Sequence, residues 1–168
     1  YQTPSAAAEI AYKLGTDRAA AFDISAACAG FCYGLSLAAD MVRGGSAEHV
    51  LVIGVERLSD LTDQTDRSTA FIFADGAGAA VVGPSNEPAI GPVVWGSDGE
   101  HLDLIRQREE WREAMFAPEG PRIPHLVMQG NPVFRWASFE MAKVALEAIE
   151  AAGITPADLD VFVPHQAN

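Results

Sequence analysis

The chain has 168 residues, of which 49% are hydrophobic, and it carries a formal net charge of −12 at pH 7. This composition is typical of a globular domain and excludes a disordered segment. The acidic balance argues against a nucleic-acid partner, because phosphate contacts need clustered Lys and Arg. No apolar run reaches the roughly 20 residues that span a bilayer, and no basic-then-apolar leader is visible. We therefore expect a cytoplasmic protein that binds no membrane.

The first half of the chain alternates predicted helices and strands. A helix is expected to begin with Thr3 as N-cap and Pro4 in the first turn, and to end at Gly15. Short apolar runs bounded by turn residues predict buried strands, and the second of them is expected to be parallel to its neighbours. These strands are expected over residues 20–25, residues 49–55 and the end of the segment 70–82.

Cys28 follows the first of these strands, where a helix is expected to begin. That helix runs to about Arg43, stops at Gly44 and Gly45, and is apolar on all sides, which predicts that it is buried. Unpaired N–H groups and the dipole at a helix N-terminus stabilise a thiolate. Cys28 is therefore a candidate nucleophile. Cys32, one turn later, is interpreted as a small buried hydrophobic residue.

A proline-rich polar stretch near residue 86 is the best candidate boundary, dividing the chain into residues 1–86 and residues 87–168. In the second half, Asn131 and Pro132 predict a helix start, and Gly153 ends that helix. The segment 98–124 is long and charged, and such loops are functional lids or contain short helices. Further strands are expected over residues 90–96, 125–129 and 159–164, and a short helical turn over residues 155–158.

Alternating strands and helices predict an α/β fold with a mostly parallel sheet covered by helices. A cysteine helix buried in the middle needs cover on both sides, which favours a layered α/β/α/β/α arrangement. His165 follows the last predicted strand as Cys28 follows the first, and sites in parallel sheets lie at the carboxyl ends of strands. The two residues are therefore a candidate nucleophile–base pair. A lone histidine at a strand end is more often structural, and spacing alone does not show that the two meet.

Three motifs are more specific than this general pattern. They are Ala-Ala-Cys-Ala-Gly-Phe at 26–31, Phe-Ala-Asp-Gly-Ala-Gly-Ala at 73–79 and Val-Pro-His-Gln-Ala-Asn at 163–168. Together and in this order they resemble β-ketoacyl-[acyl-carrier-protein] synthase III. The resemblance covers essentially the whole chain and implies the thiolase fold, here incomplete, with parts of both pseudo-repeated halves. A full family member is considerably longer, and its third catalytic residue, an asparagine, has no counterpart up to Asn168. Half of such a fold is expected to expose large apolar surfaces.

The resemblance also implies roles for individual residues. Cys28 would take an acyl group from acyl-CoA, and His165 would stabilise the enolate formed when malonyl-acyl carrier protein loses CO₂. This condensation initiates type II fatty-acid synthesis and needs no metal or redox cofactor. Arg135 would help to dock the carrier protein, and Thr3, replacing a large aromatic residue, would leave room for longer acyl chains. The implied substrate- and CoA-binding positions are Arg67, Phe73, Met128, Gly130, Asn131 and Asn168.

Other interpretations stay open at this point. The same fold could serve as a polyketide-priming ketosynthase, or as an acyltransferase that passes the acyl group to another nucleophile. A different class of function is a non-catalytic, dimerising half-domain that acts as a scaffold. The family resemblance also implies a homodimer, with acyl-CoA and malonyl-acyl carrier protein as partners.

Overall fold

The computed structural model describes residues 3–16 and 18–167. Within these residues it contains four α-helices and four β-strands, joined by long irregular segments. In chain order the elements are α1 (Ala6–Lys13), α2 (Gly30–Arg43), β1 (Val50–Arg57), β2 (Asp75–Val82), β3 (Ile105–Gln107), α3 (Trp111–Met115), β4 (Leu126–Met128) and α4 (Gly130–Ala151). Short 3₁₀ turns lie at Ala27–Ala29, Leu58–Asp60, Leu102–Leu104 and Pro156–Asp158.

The strands of the described residues pair in two antiparallel sheets of two strands each. β1 and β2 pair along their whole length, from Val50 opposite Val82 to Arg57 opposite Asp75. β3 and β4 form a shorter ladder of three residue pairs. The prediction that β1 is a fully buried parallel strand is therefore wrong. A parallel pair needs a crossover connection, usually a helix, whereas the connection between β1 and β2 contains only a 3₁₀ turn and loops.

Helix α2 packs closely on strand β1, and two glycines allow this approach. A Cβ atom at Gly34 would lie 2.9 Å from Cγ1 of Val52, and one at Gly54 would lie 3.2 Å from the ring of Phe31. Both distances are shorter than ordinary van der Waals contacts, so a larger residue at either position would push the helix and the strand apart. Beneath them lies a small core formed by Ala38, Val52 and Val82.

Three predicted strands are absent from the structure. Residues 20–25, 90–96 and 159–164 form no strand, although their sequences are apolar and β-branched. A strand exists only where a neighbour accepts and donates its backbone hydrogen bonds, and these segments have no such neighbour among the described residues. In the last of them Val163 is 83% exposed. The mostly parallel sheet expected from the alternation of elements is not present in this part of the chain.

The helix ends follow the sequence better than the strands do. Gly15, Gly45 and Gly153 stand just after three helices with φ of 70°, 75° and 72°, the left-handed conformation that glycine adopts without strain. Two predicted starts are displaced. Helix α1 begins at Ala6 with Ser5, not Thr3, as its N-cap, and helix α4 begins at Gly130 with Gln129, not Asn131, as its N-cap.

Two predictions for the irregular parts of the chain, one for residues 155–158 and one for residues 98–124, are confirmed. Thr155 and Asp158 form a reciprocal capping box around the predicted turn. The charged segment 98–124 contains a 3₁₀ turn, a short strand and helix α3, as the expectation of short helices allowed.

The surface area shows how little of the chain is covered. The accessible surface is 12825 Å², whereas a folded monomer of this mass exposes about 8,000 Å². Large apolar side chains such as Phe71, Phe116 and Phe139 are more than two-thirds exposed, which confirms the expectation of uncovered apolar surface. Helix α2 also exposes Phe31 and Leu37, so the prediction that it is buried on all sides is wrong. None of the helices described is at once long enough and apolar enough for a membrane span.

Candidate active site

Cys28 lies in the 3₁₀ turn Ala27–Ala29, immediately before helix α2. The residue before it, Ala27, has a φ of +45°, a backbone conformation that is unfavourable for a residue with a Cβ atom. The turn closes with a hydrogen bond of 3.0 Å from the N–H of Ala29 to the carbonyl of Ala26. Such strained turns persist only where the surrounding structure holds them, and they cluster at functional sites. The turn presents the Cys28 thiol, which is exposed, at the N-terminus of a 14-residue helix.

Two contacts hold the segment that leads into this turn. The carboxylate of Asp23 accepts hydrogen bonds from the N–H groups of Ala6 and Ala7, at 2.8 and 2.9 Å, and so caps helix α1. The side chain of Ile24 reaches to 3.8 Å from the position of a Cβ at Gly34 of helix α2. Segment 20–26 is thus tied to two helices although it belongs to no sheet.

The structure does not join Cys28 to His165. Both side chains are exposed, and the hydrogen bonds of the described residues include none between them. His165 directly follows residues 159–164, which were expected to form a strand and do not. Cys32, expected to be buried, is exposed as well. The nucleophile–base pair therefore stays a prediction.

Arg67 lies on a loop shaped by two aspartates. Asp63 accepts hydrogen bonds from the N–H and hydroxyl of Thr65, at 2.9 and 2.7 Å. Asp66 accepts the same pair from Ser68, at 2.8 and 2.6 Å. These bonds hold the pKa of both carboxyl groups below the usual value, with the hydroxyl bond as the larger cause. The loop backbone is therefore defined by its own side chains, and Arg67 projects from it exposed.

This loop is attached to strand β4, which carries further predicted residues. The N–H of Leu126 donates a 2.8 Å hydrogen bond to the carbonyl of Leu61. Met128 ends β4 half-buried, and its methyl group lies 3.9 Å from the position of a Cβ at Gly130, the first residue of α4. The structure thus connects the loop that carries Arg67 to the junction of β4 and α4. Phe73 is half-buried before β2 and Asn131 is exposed in the first turn of α4, whereas Asn168 lies outside the described residues.

Arg135 lies exposed on helix α4, beside a surface cavity of about 370 Å³. Trp136, the next residue, donates its indole N–H to Asp98 at 2.7 Å, and His101 Nδ1 lies 2.8 Å from the same carboxylate oxygen. These bonds attach the segment before β3 to α4 and help to form the cavity. Thr3 lies exposed ahead of helix α1.

A second cavity of about 400 Å³ lies near the β3–β4 hairpin and is lined by charged side chains. Arg122 donates hydrogen bonds there to Glu109 and Glu119. The hydrogen bonding that Arg122 donates to Glu109 is the main cause that raises the pKa of Arg122, and it lowers the pKa of Glu109. Two carboxylates thus neutralise the arginine. In residues 3–16 and 18–167 no three His, Cys, Asp or Glu side chains are grouped as metal ligands would be.

Sequence reasoning missed the residues that hold these sites together. Asp23 accepts hydrogen bonds from residues 16 and 17 positions away, and Asp98 accepts one from Trp136, 38 positions away. Tyr33 donates its hydroxyl to the carbonyl of Gly96 at 2.7 Å while its ring packs on Trp95. The last contact joins the two predicted halves, whose boundary stays a prediction. The only signal in the sequence was an acidic residue inside an apolar run, Asp23, which needs a partner when it is not solvated.

Comparisons with known proteins place this geometry in a family. The family model for 3-oxoacyl-[acyl-carrier-protein] synthase III matches residues 22–99, the part that contains the Cys28 turn and the Arg67 loop. The β-ketoacyl-[acyl-carrier-protein] synthase III of Streptomyces glaucescens is 64% identical over 169 residues, which is 99% of this chain and 50% of that protein. The synthase III 1 of Streptomyces coelicolor is 63% identical over 176 residues, 99% of this chain and 51% of that protein.

Solved structures agree with the sequence matches. The priming β-ketosynthase of the R1128 polyketide biosynthetic pathway superposes with a TM-score of 0.95 at 52% identity, over 100% of this chain and 50% of that one. The synthase III of Thermus thermophilus gives 0.88 at 40% identity, over 100% and 52%. The fold is therefore a portion of the thiolase fold, as the resemblance implied. The chain spans about half the length of the curated relatives it matches, and it belongs to the 3-oxoacyl-[acyl-carrier-protein] synthase III family.

Proposed function

We propose that the protein containing this chain is an acyltransferase that condenses an acyl-CoA primer with malonyl-acyl carrier protein and so initiates fatty-acid synthesis. The observation that carries the proposal is the Cys28 turn, in which a residue with positive φ, Ala27, presents a thiol at the N-terminus of helix α2. The identity of 64% to a named synthase III supports it. A thiol in this position is suited to covalent catalysis on a thioester.

In the proposed first step, the Cys28 thiolate attacks the carbonyl carbon of acyl-CoA. The C–S bond to CoA breaks, CoA leaves as its thiolate and takes up a proton from water, and the acyl group remains on Cys28 as a thioester. The negative charge that develops on the carbonyl oxygen needs hydrogen-bond donors, and the backbone N–H of Cys28 itself is the donor in this proposal. The N–H groups of Ala29 and Gly30 already donate to the carbonyls of Ala26 and Ala27.

In the second step, malonyl-acyl carrier protein loses CO₂ and forms an enolate on its thioester. His165 donates a hydrogen bond to the enolate oxygen in this proposal. The carbanion attacks the acyl carbon on Cys28, and a C–C bond forms. The C–S bond to Cys28 then breaks, which regenerates the cysteine thiolate and releases β-ketoacyl-acyl carrier protein as the product. Three bonds break in the two steps, namely two C–S bonds and the C–C bond to CO₂. Each breaks heterolytically, so the proposed reaction calls for no metal or redox cofactor.

The remaining predicted residues complete the proposal. Arg67 would bind the CoA adenine, and the half-buried Phe73 and Met128 would line the acyl or pantetheine path. Gly130, Asn131 and Asn168 would contact the substrate, and Arg135 would attract the acidic carrier protein. A homodimer in the cytoplasm is the expected form of the whole protein.

The direct test is the intact mass of the protein after incubation with a panel of acyl-CoAs. We expect an added acyl group, which disappears in Cys28→Ser and remains in Cys32→Ser, the matched control four residues away. An adduct that survives in Cys28→Ser would contradict the assignment of the nucleophile. No adduct on a protein of full family length would favour the scaffold interpretation.

A second candidate is a ketosynthase that primes polyketide synthesis. The superposition on the R1128 priming enzyme, with a TM-score of 0.95, favours it over other reactions of this fold. The two candidates share the Cys28 step and differ in the carrier protein they serve. Comparing kcat/KM for malonyl-loaded carrier proteins of the two pathways separates them, since the physiological partner is expected to be used more efficiently.

A further inference from the structure

Asp23 links two parts of the molecule that are distant in sequence. Its two carboxylate oxygens accept separate hydrogen bonds, Oδ2 from the N–H of Ala6 at 2.8 Å and Oδ1 from the N–H of Ala7 at 2.9 Å. These are the first two N–H groups of helix α1, which find no partner within the helix. Ser5, the N-cap, makes no side-chain capping bond. Asp23 therefore replaces the N-cap side chain of α1, although it lies 17 residues after Ala6 and 16 residues after Ala7.

The next residue ties the same segment to a second helix. The Cδ1 atom of Ile24 lies beside Gly34 of α2. A Cβ atom built at Gly34 would be 3.8 Å from it. Asp23 therefore contacts α1, and Ile24 lies against α2, from adjacent positions of one stretch of backbone. These are two tertiary contacts of the segment that leads into the Cys28 turn.

The Cys28 turn begins within three residues of Ile24. Ala26 accepts the hydrogen bond that closes the turn, and Ala27 follows with φ of +45°. A strained conformation of this kind is retained only when the residues on both sides of it are fixed. Helix α2 fixes the following side, and Asp23 with Ile24 fixes the preceding one.

We propose that Asp23 is a positioning residue through which helix α1 sets the geometry, and hence the reactivity, of the Cys28 thiol. The inference deepens the proposed function because it concerns the same thiol. Its test, however, needs neither acyl-CoA nor carrier protein. If Cys28 is not acylated, the proposed function is overturned, but the role of Asp23 can still be tested. If the test of Asp23 fails, the positioning role is overturned, and the acylation experiment still decides the proposed function.

Two variants break the link from opposite ends. Asp23→Asn keeps the shape of the side chain but removes the charge and places an N–H₂ group against a backbone N–H. Ala6→Pro removes the donor to Oδ2 and leaves Asp23 in place. Proline is well tolerated as the first helical residue, and Ser5 before it is already extended, with φ of −60° and ψ of 144°. Glu110→Gln is the matched control, because Glu110 is a carboxylate that caps helix α3.

The measurement is the rate of alkylation of Cys28 by iodoacetamide relative to Cys32 in the same molecules, by peptide mass spectrometry. It is made on the protein in its natural length, from about pH 6 to about pH 9, where thiols ionise. An N-capping acceptor stabilises by enough to change a local equilibrium about fivefold. We therefore expect the Cys28:Cys32 ratio at neutral pH to fall about fivefold in Asp23→Asn. A smaller fall is expected in Ala6→Pro, which keeps the bond from the N–H of Ala7 to Oδ1. The difference from the wild-type ratio should be smaller at the alkaline end of this range, because alkylation there depends less on groups that stabilise a thiolate.

The combination of variants decides the mechanism. If Asp23 acts through helix α1, the double variant falls no further than Asp23→Asn alone, because Ala6→Pro removes one of the two hydrogen bonds that make up the same link. Glu110→Gln should leave the ratio unchanged. An unchanged ratio in Ala6→Pro, equal losses at both cysteines, or additive effects in the double variant would each overturn the proposal.

Discussion

The indole N–H of Trp136 donates a 2.7 Å hydrogen bond to the carboxylate of Asp98, which lies 38 residues earlier in the chain. His101 approaches the same oxygen at 2.8 Å. One carboxylate therefore attaches the segment that precedes β3 to helix α4, the helix that carries Arg135 and begins at Gly130.

The pH dependence of stability follows from this contact. The Trp136 bond, followed by the His101 bond, holds the pKa of Asp98 below its usual value of 3.8. A lowered folded-state pKa gives stabilisation that is complete above the unfolded-state pKa, about 3.9, and is lost as the pH falls through the folded-state value. We expect Asp98→Asn to lower Tm by about 3 °C at neutral pH and the difference to shrink below about pH 4.

Thermal melts of the wild type and Asp98→Asn across this range test the expectation. Trp136→Phe serves as the partner variant, since it removes the largest cause of the shift and should show the same trend. A Tm difference that stays constant from neutral pH into strongly acidic solution would show that the carboxylate charge contributes nothing.

The close approach of α2 to β1 predicts a selective effect of adding one methyl group. In Gly34→Ala the new Cβ would lie 2.9 Å from Cγ1 of Val52, a stiff β-branched side chain, so the helix must shift. Overpacking costs about 1–3 kcal/mol, and the better helix propensity of alanine offsets up to about 1 kcal/mol. We expect a net loss of about 1 kcal/mol in urea unfolding and a lower rate of Cys28 acylation.

Gly76→Ala is the control for this substitution. It adds the same methyl group to strand β2, where a Cβ would meet nothing within 4 Å, and the φ of Gly76 is not positive. This variant should be as stable as the wild type or slightly more so. Equal destabilisation of the two variants would mean that the contact between α2 and β1 is not the cause.

Acyl-chain preference is expected to depend on Thr3, which lies exposed ahead of helix α1. A threonine leaves space that a large aromatic residue would fill, so Thr3→Phe should favour acetyl-CoA over longer or branched acyl-CoAs. We expect the ratio of acylation rates to change by about tenfold or more, because a pocket can discriminate to this extent between chains that differ by a few methylene groups. Competition between acyl-CoAs, read by the mass of acylated Cys28, measures the preference. Thr3→Val has nearly the volume of threonine and should leave the order of preference as it is. An unchanged order in Thr3→Phe would contradict the role of Thr3.

Arg135 is expected to steer the carrier protein to a chain that is otherwise strongly acidic. Reversing its charge in Arg135→Glu should lower kcat/KM for malonyl-acyl carrier protein by about tenfold at low salt, with a smaller loss at high salt. Acylation of Cys28 by acyl-CoA should be unaffected. Lys143→Glu makes the same change of charge two turns further along α4, and a loss of equal size there would show that only net charge matters.

Features that depend on neighbouring residues could be predicted without a structure. Local chemistry determines where a turn lies and where a helix stops, which is why Gly15, Gly45 and Gly153 end their helices as expected, each with positive φ. The short helical turn over residues 155–158 could be predicted for the same reason, since the capping box that stabilises it joins residues three positions apart. Family membership also followed from short motifs, since their residues and order are specific enough to be matched.

The pairing of strands and the burial of helix α2 could not be predicted in the same way. Apolar residues at 20–25, 90–96 and 159–164 favour strands, yet a strand requires a hydrogen-bonded neighbour, and the neighbour is a property of the assembled chain. The antiparallel direction of β1 and β2, the cap that Asp23 places on α1, and the bond from Trp136 to Asp98 likewise depend on segments far apart in sequence. The amino-acid sequence by itself determined the local turns, the helix ends and the family. Only the tertiary structure decided which distant groups meet, because hydrogen bonds and packing act over a few ångströms of space whatever the separation along the chain.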